Sequence, residues 1–101
     1  MKLKLTYAEF KTLHSLLQRI CIGILPKGIQ ARVLHGVLFR LYRKFYNKAI
    51  EVKKKYSISM EDDEACAFYM FLSSFDMTGE EVFTINLVHQ INISIHQKYS
   101  A

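Results

Sequence analysis

The sequence has few residues that break a helix or close a tight turn. Its 101 residues include one proline and four glycines, and tryptophan is absent. Because proline and glycine punctuate turn-rich β folds, their scarcity favours helices and argues against a sandwich or barrel. Long apolar runs are lacking too: the longest, 20–25 and 65–72, fall well below the roughly 20 residues of a membrane-spanning helix.

Cysteine is also scarce. Cys21 and Cys66 stand alone in apolar segments, without the paired spacing of a zinc site or a redox motif. We interpret both as small buried hydrophobic residues of a protein from a reducing compartment. The first ten residues are charged and lead into a helix, which is unlike a signal peptide, so a cytoplasmic location is expected.

Charge is present but unevenly divided. Residues 1–55 contain thirteen Lys or Arg against two acidic residues, whereas residues 56–101 contain one Lys against seven acidic residues. Two interpretations follow. Either the two halves attract each other, within or between chains, or the basic half is a docking surface.

Half of the residues are hydrophobic, which is a folding composition, and the length fits one domain over residues 1–101. Apolar residues at steps of three and four, together with the "LPKG" turn at 25–28, divide the chain into helices. We predict an all-α fold, an irregular four-helix bundle with helices at about 6–24, 29–56, 60–74 and 79–98. The apolar stripe of the first helix ends at Ile24.

Three helix starts have a common pattern, a hydroxyl residue followed three positions later by a carboxylate. The pairs are Thr6/Glu9, Ser59/Asp62 and Thr78/Glu81. The second helix should be the longest and the most lopsided in charge. The third, apolar on every side over 65–72, should be central and the most buried.

The last segment fits two patterns. The alternation of Ile91, Ile93 and Ile95 suits a strand, whereas the cap signal and the length favour a helix, which we predict.

A faint repeat relates "KLKLTYAEF" and "KYSISMEDD", which are 53 residues apart. Each has a short alternating stretch, then a hydroxyl residue, then an acid. It predicts that each half is an extended segment followed by two helices, and that residues 2–5 and 56–58 pair as a minimal two-stranded ribbon.

The stretch 39–56, "FRLYRKFYNKAIEVKKKY", interleaves aromatic and basic residues. On a helix of about 100° per residue the rings fall on one arc and the cations on the opposite one. A base-stacking platform needs both on one surface, so this form of nucleic-acid binding is not expected. The cations remain as a row that tracks phosphates, as a solvated face, or as a surface covered by Glu61–Glu64 or Glu80/Glu81. The candidate nucleic-acid-binding residues are Arg32, Arg40, Arg43, Lys44, Lys48 and Lys55.

Apolar residues interrupt this basic side near the start of the helix. Val33 and Val37 lie there with Gly36 nearby, which predicts either cover from both sides or a dimer contact.

Four histidines raise the question of a metal site. His89 and His96 are seven residues apart, about 10 Å along a helix, which is too far for one ion, so no metal site is predicted. If the bundle has a polar pocket, His89, Asn92 and His96 are its expected walls.

No catalytic or cofactor-binding motif is recognisable, so neither an enzyme nor a cofactor is expected. The leading hypothesis is a non-catalytic interaction protein that binds another protein or associates with itself. The alternative is a nucleic-acid-binding accessory protein that uses the basic side of the second helix. A membrane partner is not expected.

Overall fold

The part of the chain that the structure describes folds into four helices and a two-stranded ribbon, as predicted. The computed structural model describes residues 1–23 and 25–100; Ile24, the predicted end of the first apolar stripe, lies outside them. In chain order the elements are β1 (Lys2–Thr6), α1 (Tyr7–Gly23), α2 (Ile29–Ala49), β2 (Lys55–Ser59), α3 (Asp62–Ser74) and α4 (Val82–Tyr99). None of these helices has both the length and the apolar character needed to cross a membrane.

Each half has the order strand, helix, helix, as the repeat predicted. β1 and β2 are antiparallel, and Lys4 lies opposite Ser57, the residue 53 positions later in the chain. The middle pair of the ribbon therefore joins equivalent positions of the two repeats. Since alternate residues of a strand point to opposite faces, one face is buried and the other exposed. The buried face consists of Leu3, Leu5, Tyr56 and Ile58.

The core lies between this face and the helices. α1 packs against α2, α2 against α3, and α3 against α4. Phe10 of α1 stacks on Tyr56 and on Phe45, with ring centroids 3.9 and 5.3 Å apart, so ribbon and first two helices share one core. The radius of gyration is 13.0 Å, close to the value of about 13 Å for a 100-residue domain.

One of the three predicted helix starts is confirmed. The Thr6 N–H donates to Glu9 Oε1 (2.8 Å) and the Glu9 N–H donates to Thr6 Oγ1 (3.2 Å). This is a reciprocal capping box, which satisfies two N–H groups at the start of α1.

The other two predicted starts are wrong. Ser59 belongs to β2, and the next residue, Met60, is paired through its backbone with Met1. The chain becomes helical only beyond that pair, and the capping box of α3 uses Glu61 and Glu64. Thr78 lies in a turn that includes Gly79 at φ 83°, so α4 begins at Val82, after Glu81.

The prediction that the second helix reaches residue 56 is also wrong. α2 has 21 residues and is the longest helix, but it ends at Ala49. Tyr56 accounts for the early end: its ring is buried in the core, and its hydroxyl accepts from the Lys53 N–H and donates to the Glu51 carbonyl, both at 2.9 Å. A helix continuing to residue 56 would lose the ribbon and this buried ring.

The last segment is a helix, as predicted, with Thr84, Leu87, Val88, Ile91 and Ile95 buried on one side. Ile93 is exposed, so the alternation of isoleucines does not mark a second buried face.

α3 is less enclosed than its sequence suggests. Five of its 13 residues are buried, the largest share of the four helices. However, Met70 is 59% exposed and Cys66 is exposed as well. The prediction that both cysteines are buried therefore holds only for Cys21, where burial raises the pKa of the thiol to about 11.

Candidate functional site

The six predicted nucleic-acid-binding residues are distributed over two elements. Arg32, Arg40, Arg43, Lys44 and Lys48 lie on α2, whereas Lys55 lies on β2 because the helix ends early. Two of them, Arg40 and Lys44, point toward the start of α3 and are engaged there.

Their partner is Glu64, a carboxylate with no exposed side-chain surface. Arg40 Nε donates to Glu64 Oε2 at 2.9 Å, and Lys44 Nζ donates to Glu64 Oε1 at 2.6 Å. The Glu61 N–H also donates to Oε1, at 2.8 Å, and Asp63 accepts a second bond from Arg40. The acidic segment 61–64 therefore lies against the basic row within one chain, one of the arrangements that the charge asymmetry allowed.

Burial of Glu64 opposes its ionisation, but the bonds from Lys44, the Glu61 N–H and Arg40 outweigh it. The pKa of Glu64 consequently lies below its usual value. A charged carboxylate at this position joins α2 to α3, so Arg40 and Lys44 have a structural role whatever else they contact.

The other four residues of the predicted set have no such partner. Among residues 1–23 and 25–100, Arg32, Arg43, Lys48 and Lys55 form no ion pair with a carboxylate. The structure thus does not hold the six cations as one free row. It divides them into an engaged pair and separate exposed charges.

The aromatic side of α2 is only partly buried. Leu38, Leu41, Tyr42 and Phe45 pack in the core, but Phe39 is 39% and Tyr46 is 58% exposed. The arc of rings that the sequence predicts therefore faces the core only in part. Phe39 and Tyr46 lie beyond the surface that the neighbouring elements cover.

A long apolar groove runs between the first half of α2 and α3. It has a volume of about 690 Å³ and is open to solvent. Ile29 (83% exposed), Val33 (64%) and Met70 (59%) are its most exposed apolar residues. The remaining lining is Gln30, Ala31, Leu34, Val37, Asp63, Cys66 and Ala67. We call this groove the α2/α3 groove. Its lining includes Val33 and Val37, the two valines that the sequence places on the basic side of the helix.

Gly36 lies on α2 in the same region and is exposed. A Cβ built on it would meet no atom within 4 Å. No close approach by residues 1–23 or 25–100 explains a glycine here, although glycine weakens a helix interior by about 1 kcal/mol relative to alanine.

The three residues predicted to wall a polar pocket, His89, Asn92 and His96, line one shallow hollow with Tyr69. The Tyr69 and His96 rings are 5.9 Å apart, and the buried Asn92 Oδ1 has no hydrogen-bond partner in the described part of the chain. A functional role for these three residues stays a prediction. Within residues 1–23 and 25–100, no three His, Cys, Asp or Glu side chains form a group suited to a metal ion.

The sequence indicated Val33 and Val37 of the groove, with Gly36 nearby, but not the exposed Ile29, Cys66 and Met70. Cover of the basic residues by Glu61–Glu64 was one of the alternatives that the sequence left open, without singling out Glu64. The spacing of Arg40 and Lys44, four residues apart on one helical face, was the available signal for a shared carboxylate partner.

The chain matches no protein-family model, its sequence matches no curated protein, and no solved structure matches its fold.

Proposed function

We propose that this chain is a non-catalytic protein that associates with a second copy of itself through the α2/α3 groove. The observation that carries the proposal is the exposure of Ile29, Val33 and Met70 around one continuous apolar groove. Burying each such side chain is favourable by about 1.5 to 3 kcal/mol. A monomer in solution does not gain this free energy.

A second copy is a suitable occupant because residues that line the groove are themselves exposed. Ile29 and Val33 of α2 line the groove and extend into solvent. In a two-fold pair each surface meets the same surface of the partner, so Ile29 and Val33 of one copy can pack into the groove of the other. Gly36, which has open space at its Cβ position, permits close approach of a partner helix.

Asp63 adds a charge to the α3 side of the groove. It pairs with Arg40 of its own chain, yet 54% of its side chain is exposed. Arg32 lies on the same half of α2 as Ile29 and Val33, and it has no carboxylate partner in the described ranges. In a two-fold pair Arg32 of one copy can approach Asp63 of the other, and opposite charges favour this pairing.

The expected strength is modest. Stable interfaces bury about 800 Å² on each partner, and the groove supplies the apolar centre of such an area. We therefore expect a dimer with a dissociation constant in the micromolar range, about −8 kcal/mol.

Sedimentation velocity across about 1 to 100 µM protein tests the proposal. Wild type should shift from monomer to dimer, and Val33→Glu should remain monomeric because it places a charge in the groove. Val82→Glu is the matched control: Val82 is also exposed and helical (72% against 64% for Val33) but lies on α4. A wild type that stays monomeric throughout, or equal effects of both substitutions, would contradict the proposal.

A further inference from the structure

The outer face of the ribbon has a regular chemical pattern. Because Leu3, Leu5, Tyr56 and Ile58 take the inner face, the alternate residues point away from the core. They form three cross-strand pairs, and each pair joins a lysine to a hydroxyl residue. The pairs are Lys2 with Ser59, Lys4 with Ser57, and Lys55 with Thr6.

These lysines have no internal counter-charge. Lys2, Lys4 and Lys55 are exposed, and none forms an ion pair with a carboxylate of residues 1–23 or 25–100. Glu9 lines the same hollow as Lys4 and Lys55, but it is engaged by the Thr6 N–H in the cap of α1. Lys2, Lys4 and Lys55 therefore differ from Arg40 and Lys44, which are paired with Glu64.

The basic surface continues past the edge of β2. Ser57 lines both the hollow on the outer face and a second hollow between β2 and the end of α2. Lys48 and Lys53 line that second hollow with Asn47, and Lys44 Nζ reaches the Ser59 carbonyl at 3.0 Å. Of the described residues that line this second hollow, Glu51, 3.5 Å from Lys53, is the one with a carboxylate.

We propose that this surface, the lysine ribbon, binds the sugar–phosphate backbone of a double-stranded nucleic acid. It consists of Lys2, Lys4, Lys48, Lys53 and Lys55 with their neighbouring hydroxyl groups. Lysine supplies a charge to each phosphate, and serine or threonine donates a hydrogen bond to its oxygens.

The composition of the surface selects this ligand class. In the described ranges, the outer face of the ribbon consists of lysines and hydroxyl residues and has no aromatic ring, so unpaired bases have no ring there to stack on, in contrast to single-strand binders. Ile50 and Val52, each 79% exposed, lie between α2 and β2 and not on this face, which has no apolar residue of its own in the same ranges to enter a lipid layer. What remains is recognition of regularly spaced phosphates without regard to sequence. The lysine ribbon and the α2/α3 groove are different surfaces, so either proposal can fail without affecting the other.

Fluorescence anisotropy with DNA and RNA duplexes of about 20 base pairs tests the proposal, with protein titrated at about 50 and 200 mM salt. We expect binding that weakens roughly 100-fold between these salt concentrations, as for about four phosphate contacts. Lys4→Glu/Lys55→Glu should weaken binding at least about tenfold, while Lys4→Arg/Lys55→Arg should retain it.

The control has the same change of charge elsewhere. Lys27→Glu/Lys98→Glu alters two exposed lysines, Lys27 in the loop before α2 and Lys98 on α4. It should bind nearly as wild type does, and circular dichroism should show all variants folded. Val33→Glu should still bind, which keeps this test independent of dimer formation.

Three results would overturn the inference. Equal losses in the two glutamate double variants would show a response to net charge only. Absence of duplex binding even at low salt would leave the lysines the role of preventing strand addition at an exposed edge. Binding to vesicles containing anionic lipid, or to an acidic peptide, without binding to duplexes would assign the surface to another ligand class.

Discussion

The surroundings of Glu64 in the folded chain are not those that its neighbours in the sequence would suggest. It stands in a run of four acids at the start of a helix, yet its side chain is fully buried between α2 and α3. Removing one partner of a buried ionic network leaves the others without compensation, which is more damaging than loss of an exposed pair.

We predict that Glu64→Gln lowers the free energy of unfolding by about 2 to 3 kcal/mol at pH 7. The value lies at the low end for a buried charge because Arg40 and Lys44 are partly exposed and can still reach water. Urea unfolding measures it, with Glu81→Gln, an exposed carboxylate, as a control expected to change stability by at most a few tenths of a kcal/mol.

The same variant should differ from wild type less in acid. The pKa of Glu64 is lower in the folded protein than its usual value of 4.5, so below about pH 4.5 the unfolded chain binds a proton that the folded chain does not. The stabilisation by the carboxylate is complete above that pH and is lost as the pH falls through the folded pKa. A difference between wild type and Glu64→Gln that stays constant from pH 7 to pH 3 would contradict the proposed network.

At the scale of elements, the start of α1 can be compared with the start of α3. Both were predicted from the same pattern, but Thr6 caps its helix while Ser59 is a strand residue. Thr6→Ala should lower the free energy of unfolding by about 1 kcal/mol through loss of the cap. Ser59→Ala should have a much smaller effect in the same urea experiment, and equal effects would show that the capping geometry of α1 does not contribute.

These two sites also show what the sequence predicts about elements and what it does not. Periodicity gave four helices and the ribbon because apolar spacing is a local property of the chain. The end of α2 was missed because "EVKKKY" contains no helix breaker. What ends the helix is the burial of Tyr56 against Phe10, a contact between residues 46 positions apart that no local pattern contains.

The candidate sites follow the same division. In the sequence, the lysines are recognised by their charge, and the α2 valines by their position on the basic side of the helix. Their partners are not recognisable there, since Met70 and Cys66 join Val33 only when α3 packs beside α2. In the same way, only the ribbon register pairs each outer lysine with a hydroxyl.

At the scale of the whole molecule, the lysine ribbon and the apolar groove lie apart. In the basic first half, Arg40 and Lys44 are paired with α3, whereas the five lysines of the lysine ribbon lie on the strands and around the end of α2. The apolar groove lies at the other end of α2, formed by its first half rather than its last turns. We propose that this groove is the contact between two copies, and the Cys66 thiol, which lines it, can report on that contact.

The most direct test is the rate at which Cys66 reacts with a thiol reagent as the protein concentration rises from about 1 to about 100 µM. Cys66 lines the groove, whereas Cys21 is buried and, with a pKa of about 11, should react slowly at every concentration. We predict that the labelling rate of Cys66 falls as the dimer forms and that Val33→Glu abolishes this fall. A labelling rate that does not change with protein concentration would contradict the proposal. If wild type dimerises under the same conditions, the interface lies elsewhere than the α2/α3 groove. If wild type stays monomeric, the groove is not an interface between copies.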